Sequence, residues 1–385
     1  MEKNSEEPYV NTLYSNDISI VIAKLHTIDY AKQQSYIIEI LRFPLAILVV
    51  FAHMLPFQQE PFNMRLNSID IYHFVSELIS HHIAHIPVSL YFIISGYYFF
   101  THAQQGWDNR TYWVKLKTRI RSLLIPYLVW NTIYIAAVYV KNYIFIRNGF
   151  HAEAGYNDFC NSSLYKLLWE MPVNFPLWFI RDLMVMSLIS PLFYLYFRYI
   201  KVYGLLFLVA LYILGLESDI PGFSCAALFY FGIGVFMKMY GYSILEVTLS
   251  YKNIIISGTV IFLGLTLYNL GAPNYEVWRR IFRIFGVLAM FYFGYRISVG
   301  SHKLKKIFLM FSSVSFFVYV AHEIYIINWL KGVLYKSFLS NSGWGMLLGY
   351  FVAPFICIGI LMIIYKLMTR LIPRTLAVIT GNRTS

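Results

Sequence analysis

Ten stretches, each roughly long enough to cross a bilayer as a helix, recur along this chain of 385 residues: 37–55, 83–101, 122–140, 177–197, 202–216, 222–237, 253–271, 284–299, 308–330 and 344–368. Inside hydrocarbon every backbone N–H and C=O must find a partner within the protein, so a chain built of such stretches folds as a helix bundle. Composition agrees, with 58% hydrophobic and 13% charged residues, against about 25% charged in soluble domains. The 33 Tyr and 32 Phe suit a protein whose rings gather at two membrane interfaces. The expected fold is all-α: a polytopic membrane helix bundle of about ten transmembrane helices.

Charge sets the expected orientation. With a cytoplasmic N-terminus, the inside segments hold 19 Lys and Arg and the outside segments 9, the bias of a chain with both termini inside. The formal net charge of +12 is that same bias, and no nucleic-acid-binding motif accompanies it. Cys160, Cys225 and Cys357 stand far apart and form neither a disulfide framework nor a metal motif. Residues 1–35 lack the apolar core of a signal peptide and read as a cytoplasmic tail, with room for a short interfacial helix around 18–32. Residues 36–372 read as one membrane domain, and 373–385 as a second cytoplasmic tail.

The first span, "IEILRFPLAILVVFAHM" (38–54), carries Arg42 near one end and His53 near the other. Ionisable groups are costly in a bilayer and mark function when present. Eleven positions separate the two, which is three helical turns plus about 20°, so they share a face about 16 Å apart. Taken singly, Arg42 reads as a snorkelling arginine and His53 as an interfacial histidine. Glu39, one turn from Arg42, is a candidate ion-pair partner.

The R-x10-H pattern of Arg42 and His53 resembles the opening of integral-membrane acyltransferase family three, which includes O-acetyltransferases of surface polysaccharides and lipopolysaccharides. Other stretches are similar to the family in order and spacing. "SLYFIISGYYFF" (89–100) resembles its second-span signature through Ser95, Gly96 and Tyr97. "YWVKLKTRIRSLLIPYLVW" (112–130) resembles its basic segment running into Pro-Tyr. "PLWFIRDL" (176–183) and "SFFVYVAHEIYI" (315–326) resemble its Leu-Trp-Phe and Tyr-x-x-His elements, the latter placing Tyr319 and His322. The resemblance covers about 36–372. One departure stands out: Arg119 fits the family arginine seven residues before Pro126, but Ser122 stands where a second is common, and Arg121 is one residue off.

The resemblance implies a multi-pass enzyme of the bacterial cytoplasmic membrane that moves an acetyl or similar acyl group from acetyl-CoA or another acyl-CoA to a hydroxyl of a glycan or lipid-linked saccharide. It implies membrane lipids as surroundings, no nucleic-acid partner and no metal. Such chemistry needs a base for the hydroxyl proton, a group for the oxyanion and a grip on the anionic donor. Histidine is the commonest base, and His53 with Arg42 forms the expected catalytic pair, His53 either deprotonating the acceptor hydroxyl or first becoming acylated. Lys117, Arg119 and Arg121, in the inside loop with Lys115, suit the donor's phosphates. Ser95 and Gly96 suit close backbone approach, in a donor tunnel or in plain helix packing. Trp178, Arg181, Asp182, His322 and Glu323 fall towards the outer side as candidate acceptor-binding residues. Adjacent Arg181 and Asp182 point about 100° apart and need not pair. His81 and His85, at a helical spacing that can hold zinc, read as interface histidines. The rival class is a transporter of a saccharide or small solute; the absence of an internal repeat counts against it.

Overall fold

The computed structural model describes residues 7–55, 67–101, 106–216, 220–300 and 302–382, with side chains from residue 30 onward. Lys3, Arg65 and Arg383, three of the charges used for orientation, lie outside them, as does part of the expected outside loop 56–82.

Among the described residues there are helices and turns and no strand. The chain runs through α1 (Glu7–Ala52), α2 (Ser68–Glu77), α3 (Ile86–Phe99), α4 (Asn109–Arg119), α5 (Ile125–Arg147), α6 (Tyr156–Asn161), α7 (Trp178–Leu188) and α8 (Ser190–Leu214). It continues through α9 (Cys225–Met239), α10 (Ile244–Ser250), α11 (Lys252–Tyr268), α12 (Tyr275–Gly300), α13 (His302–Met310), α14 (Ser315–Ala321), α15 (Ile326–Tyr335), α16 (Gly343–Leu371) and α17 (Pro373–Ile379). Helix α1 stands at the centre, against α3, α12, α13, α14 and α16. Ile37, Leu41 and Leu45, each four residues apart, are buried. Gly294 of α12 gives Ile37 and Leu41 their room. Pro44 lies inside the long α1, where its missing N–H removes one intrahelical bond.

Among the described residues, seven helical segments are long and apolar enough to cross a membrane, or eight if α9 and α10, bent by 94°, form one broken span. This multi-pass character is the expected one, but the ten apolar stretches do not map one to one onto long helices. The stretches 177–197 and 202–216 become α7 and α8, and α8 itself turns at Lys201 (φ 55, ψ −134). The Tyr196 hydroxyl closes that turn on the carbonyl of Gly204 at 2.9 Å. Helix α11 has 17 residues. The stretch 308–330 is interrupted: α14 ends at Ala321, and α15 begins after Tyr325, which has a φ of 62. Residues 7–35, read as a tail, are helical as part of α1. Residues 373–379, also read as a tail, form α17, whose Ile379 carbonyl accepts from Trp130 Nε1 of α5 at 2.9 Å.

The tightest helix crossing joins α3 and α9. A Cβ on Gly96 would stand 2.2 Å from the Phe231 carbonyl oxygen, and one on Gly234 would stand 2.1 Å from that of Ile93. Each helix lets the other's backbone this close by presenting a glycine at the contact. Gly96 is therefore a packing residue here, while its neighbour Ser95 faces a cavity. Gly96→Ala should cost about 1–3 kcal/mol through overpacking. Thermal unfolding of the detergent-solubilised protein reads that loss, and Gly96→Leu should leave no monodisperse protein. An unchanged melting point for Gly96→Ala would contradict the crossing.

Candidate active site

A cavity of about 280 Å³ runs beside α1. Ile38, Arg42, Ala46 and Val49 of α1 line it, a stripe about 16 Å long by helical rise. Tyr91 and Ser95 of α3, Phe179 and Leu183 of α7, and Ser312, Ser313, Ser315 and Tyr319 complete most of the wall. Two guanidinium groups reach it, Arg42 and Arg119. Arg42 is exposed, and among the described residues it makes no ion pair with Glu39.

Local structure explains why Arg119 is at the cavity. Helix α4 starts on Asp108, whose carboxylate accepts from the backbone N–H groups of Arg110 and Thr111 at 3.0 Å each, a standard N-cap. Those bonds and one from the Thr111 hydroxyl hold the exposed Asp108 carboxyl below the usual carboxylate range. A π-helical turn, Ile120–Leu124, then joins α4 to α5. Such turns shift the register of a helix face and occur often at functional sites. Arg119, just before it, lies against the Phe99 ring at 6.0 Å and lines the cavity. Arg121 and Lys117 are exposed and do not line it. Lys115 donates to the carbonyls of Tyr98 and Phe99, capping the end of α3.

At the other end of the α1 stripe, one turn beyond Val49, stands His53. Its Nδ1 lies 2.9 Å from a carboxylate oxygen of Glu323. Its ring centroid is 5.0 Å from that of His322. Lys331 Nζ donates to the His53 carbonyl at 2.8 Å, so the C-terminal end of α1 is capped by a cation. His322 is fully buried. Its Nδ1 faces the carbonyls of Val318 at 3.0 Å and Tyr319 at 2.9 Å. Carbonyls accept only, so Nδ1 carries the proton and Nε2 holds a lone pair. That buried Nε2 has no hydrogen-bond partner among the described residues.

The break after Ala321 delivers His322 and Glu323 to His53, because an unbroken helix would send them to different faces. Two bonds hold the break in place. Asn174 Nδ2 donates to the Val320 carbonyl at 2.8 Å, and the Tyr319 hydroxyl donates to the Pro176 carbonyl at 2.5 Å. The two sequence elements 176–183 and 315–326 are thus physically joined.

The remaining candidates stand elsewhere. Arg181 Nε and Nη2 donate to one Asp182 carboxylate oxygen at 3.0 and 2.9 Å. Its Nη1 donates to the carbonyls of Trp169 and Glu170. The two adjacent residues do pair, and together they anchor the 166–170 turn to α7. Trp178 is half-buried in the core, behind a wall that its neighbours Phe179 and Ile180 provide. His81 pairs with Glu77, and His82 meets the Tyr275 hydroxyl at 3.2 Å. Sequence reasoning missed Ser312, Ser313 and Ser315 as cavity residues. Their signal was the S-S-x-S run, three hydroxyls inside an apolar stretch.

Arg181→Met should keep the side-chain volume but remove the cation from the buried Asp182 carboxylate and release the Trp169 and Glu170 carbonyls. A loss of about 3–5 kcal/mol is expected, read as a lower unfolding temperature; unchanged stability would contradict the anchoring role.

Comparison with known proteins bears on the chemistry. A family model described as an acyltransferase domain matches residues 35–366. The chain is also 30% identical over 374 residues to the succinoglycan biosynthesis protein ExoH of Rhizobium meliloti (strain 1021), covering 90% of this chain and 92% of that one. No solved structure matches. The match over most of the length, on a multi-pass helical bundle, settles the family: the chain belongs to integral-membrane acyltransferase family three.

Proposed function

We propose that this protein is an O-acyltransferase of the bacterial cytoplasmic membrane, moving an acetyl or similar acyl group from cytoplasmic acyl-CoA to a hydroxyl of a surface glycan or lipid-linked saccharide. The observation that carries this reading is the cavity beside α1, which starts at Arg42 and Arg119 and ends a turn short of His53. A thioester on an extended pantetheine arm suits such a slot: anionic phosphates at the guanidinium end, the reacting carbonyl at the imidazole end. The likeness to a succinoglycan biosynthesis protein supports a polysaccharide acceptor.

In this mechanism His53 donates its Nδ1 proton to Glu323 in a hydrogen bond, leaving Nε2 as the base. A carboxylate on Nδ1 fixes the tautomer and stabilises the imidazolium that forms. As the acceptor oxygen bonds to the acyl carbon, its proton passes to Nε2. The oxyanion collapses, the C–S bond breaks, and the thiolate takes the proton from Nε2. Arg42 stands about 16 Å from His53 along the helix axis, which gives Arg42 the role of gripping the donor and leaves the reacting atoms to His53. Arg181 and Asp182 serve the site through the turn they anchor.

The test uses membrane vesicles of known sidedness given acetyl-CoA. Inside-out vesicles should release CoA thiol and sealed right-side-out vesicles should not. Glu323→Gln should slow release about 10²-fold or more. A transporter would release no thiol in either orientation, and that result would overturn the reading.

A further inference from the structure

Three side chains just beyond the cavity, on the far side of Val49 from Arg42, also make a metal-ligand set. One donor atom each from His53, His322 and Glu323 lies within 4.8 Å of the other two. Two imidazoles and a carboxylate with one open position is a common ligand set for zinc. His53 Nδ1 and the Glu323 oxygen are 2.9 Å apart, near the separation of two ligands on one tetrahedral ion with bonds of about 2.0–2.1 Å. The third donor carries the argument. His322 Nε2 is buried and unpartnered, its lone pair fixed by two backbone carbonyls on Nδ1. Metal-bound histidines carry this same support, the distal N–H held by a carbonyl or carboxylate. A buried polar atom without a partner is costly, and a cation would remove that cost.

We propose that His53, His322 and Glu323 form a binding site for a zinc-class divalent cation, which takes the place of the proton between His53 and Glu323 and so blocks acyl transfer. Zn²⁺ bonds to His322 Nε2, His53 Nδ1 and a Glu323 oxygen; the Nδ1 proton leaves to solvent. No electron moves. Lys331, beside Glu323, opposes a second positive charge, which favours a reversible site over a permanent one. The blocking effect rests on the acyltransferase reading; the binding does not.

The experiment measures the two separately. Purified full-length protein in detergent is titrated with Co²⁺ as an optical probe and with Zn²⁺ by calorimetry. Wild type should bind one ion per chain with the visible bands of four-coordinate cobalt. His322→Asn keeps a side-chain N–H for the Val318 and Tyr319 carbonyls but loses the lone pair. It and Glu323→Gln should each weaken binding at least about tenfold, while exposed His73→Asn should not. Zn²⁺ should then inhibit wild-type thiol release, with recovery on adding EDTA. Absence of cobalt bands, or equal affinity in wild type and His322→Asn, overturns the site even if acyl transfer is confirmed. Binding without inhibition overturns the proposed block.

Discussion

His53→Asn should reduce acyl transfer by about 10²–10⁴-fold, the usual contribution of a positioned base. Asparagine is the informative choice because its side-chain N–H still reaches towards Glu323 in place of Nδ1. Alanine would leave the Glu323 carboxylate buried without its partner, a change that costs stability in its own right. The bond from Lys331 goes to the main chain of residue 53 and survives either substitution. The loss should therefore appear in turnover at unchanged expression and donor affinity. Steady-state thiol release at saturating acetyl-CoA reads it, and wild-type turnover in His53→Asn would remove this histidine from the mechanism.

The second large effect is a contrast. Arg119→Ala should raise the KM for acyl-CoA by about 10–100-fold, while Arg121→Ala, two residues away, should change it by less than about twofold. A hydrogen bond to a charged group contributes about 1.5–3 kcal/mol, and of these two arginines Arg119 alone lines the cavity. Exposed Arg121 offers a charge that salt screens. Since donor gripping precedes chemistry, turnover at saturating donor should fall little in either variant. Equal effects from both would mean that the cluster acts as a diffuse positive field.

The contrast also shows where reading a sequence stops. The basic segment was plain as a cluster, but choosing among its arginines required the π-helical turn at Ile120–Leu124. Hydrogen-bond register of that kind leaves no hydropathy signal. The R-x10-H face was legible because helix geometry alone puts Arg42 and His53 on one stripe. What meets that stripe was not. Hydropathy runs without interruption through 308–330, so nothing in it announces the break that brings His322 and Glu323 to His53. The break depends on Asn174 and Pro176, more than a hundred residues away, through bonds to Val320 and Tyr319.

Membrane character was legible for the opposite reason: the bilayer imposes its demand on each segment separately, and composition suffices to see it. Backbone direction alone left the pairing of Arg181 with Asp182 open. A long arginine side chain folds back across the 100° between neighbours when carbonyls at Trp169 and Glu170 hold its far end. Gly96 offered two readings, and its Gly234 partner on α9 decides for packing.

In the proposed reaction an acyl group, carried on a donor gripped at the arginine end of the cavity, passes to a glycan hydroxyl beside His53. Mass spectrometry of the surface glycan from a deletion strain, complemented with wild type or with His53→Asn, tests it most directly. Wild type should restore a glycan heavier by one acyl group per modified unit, and His53→Asn should leave it at the deletion strain's mass. The same glycan mass in the deletion strain and its wild-type complement would contradict the account.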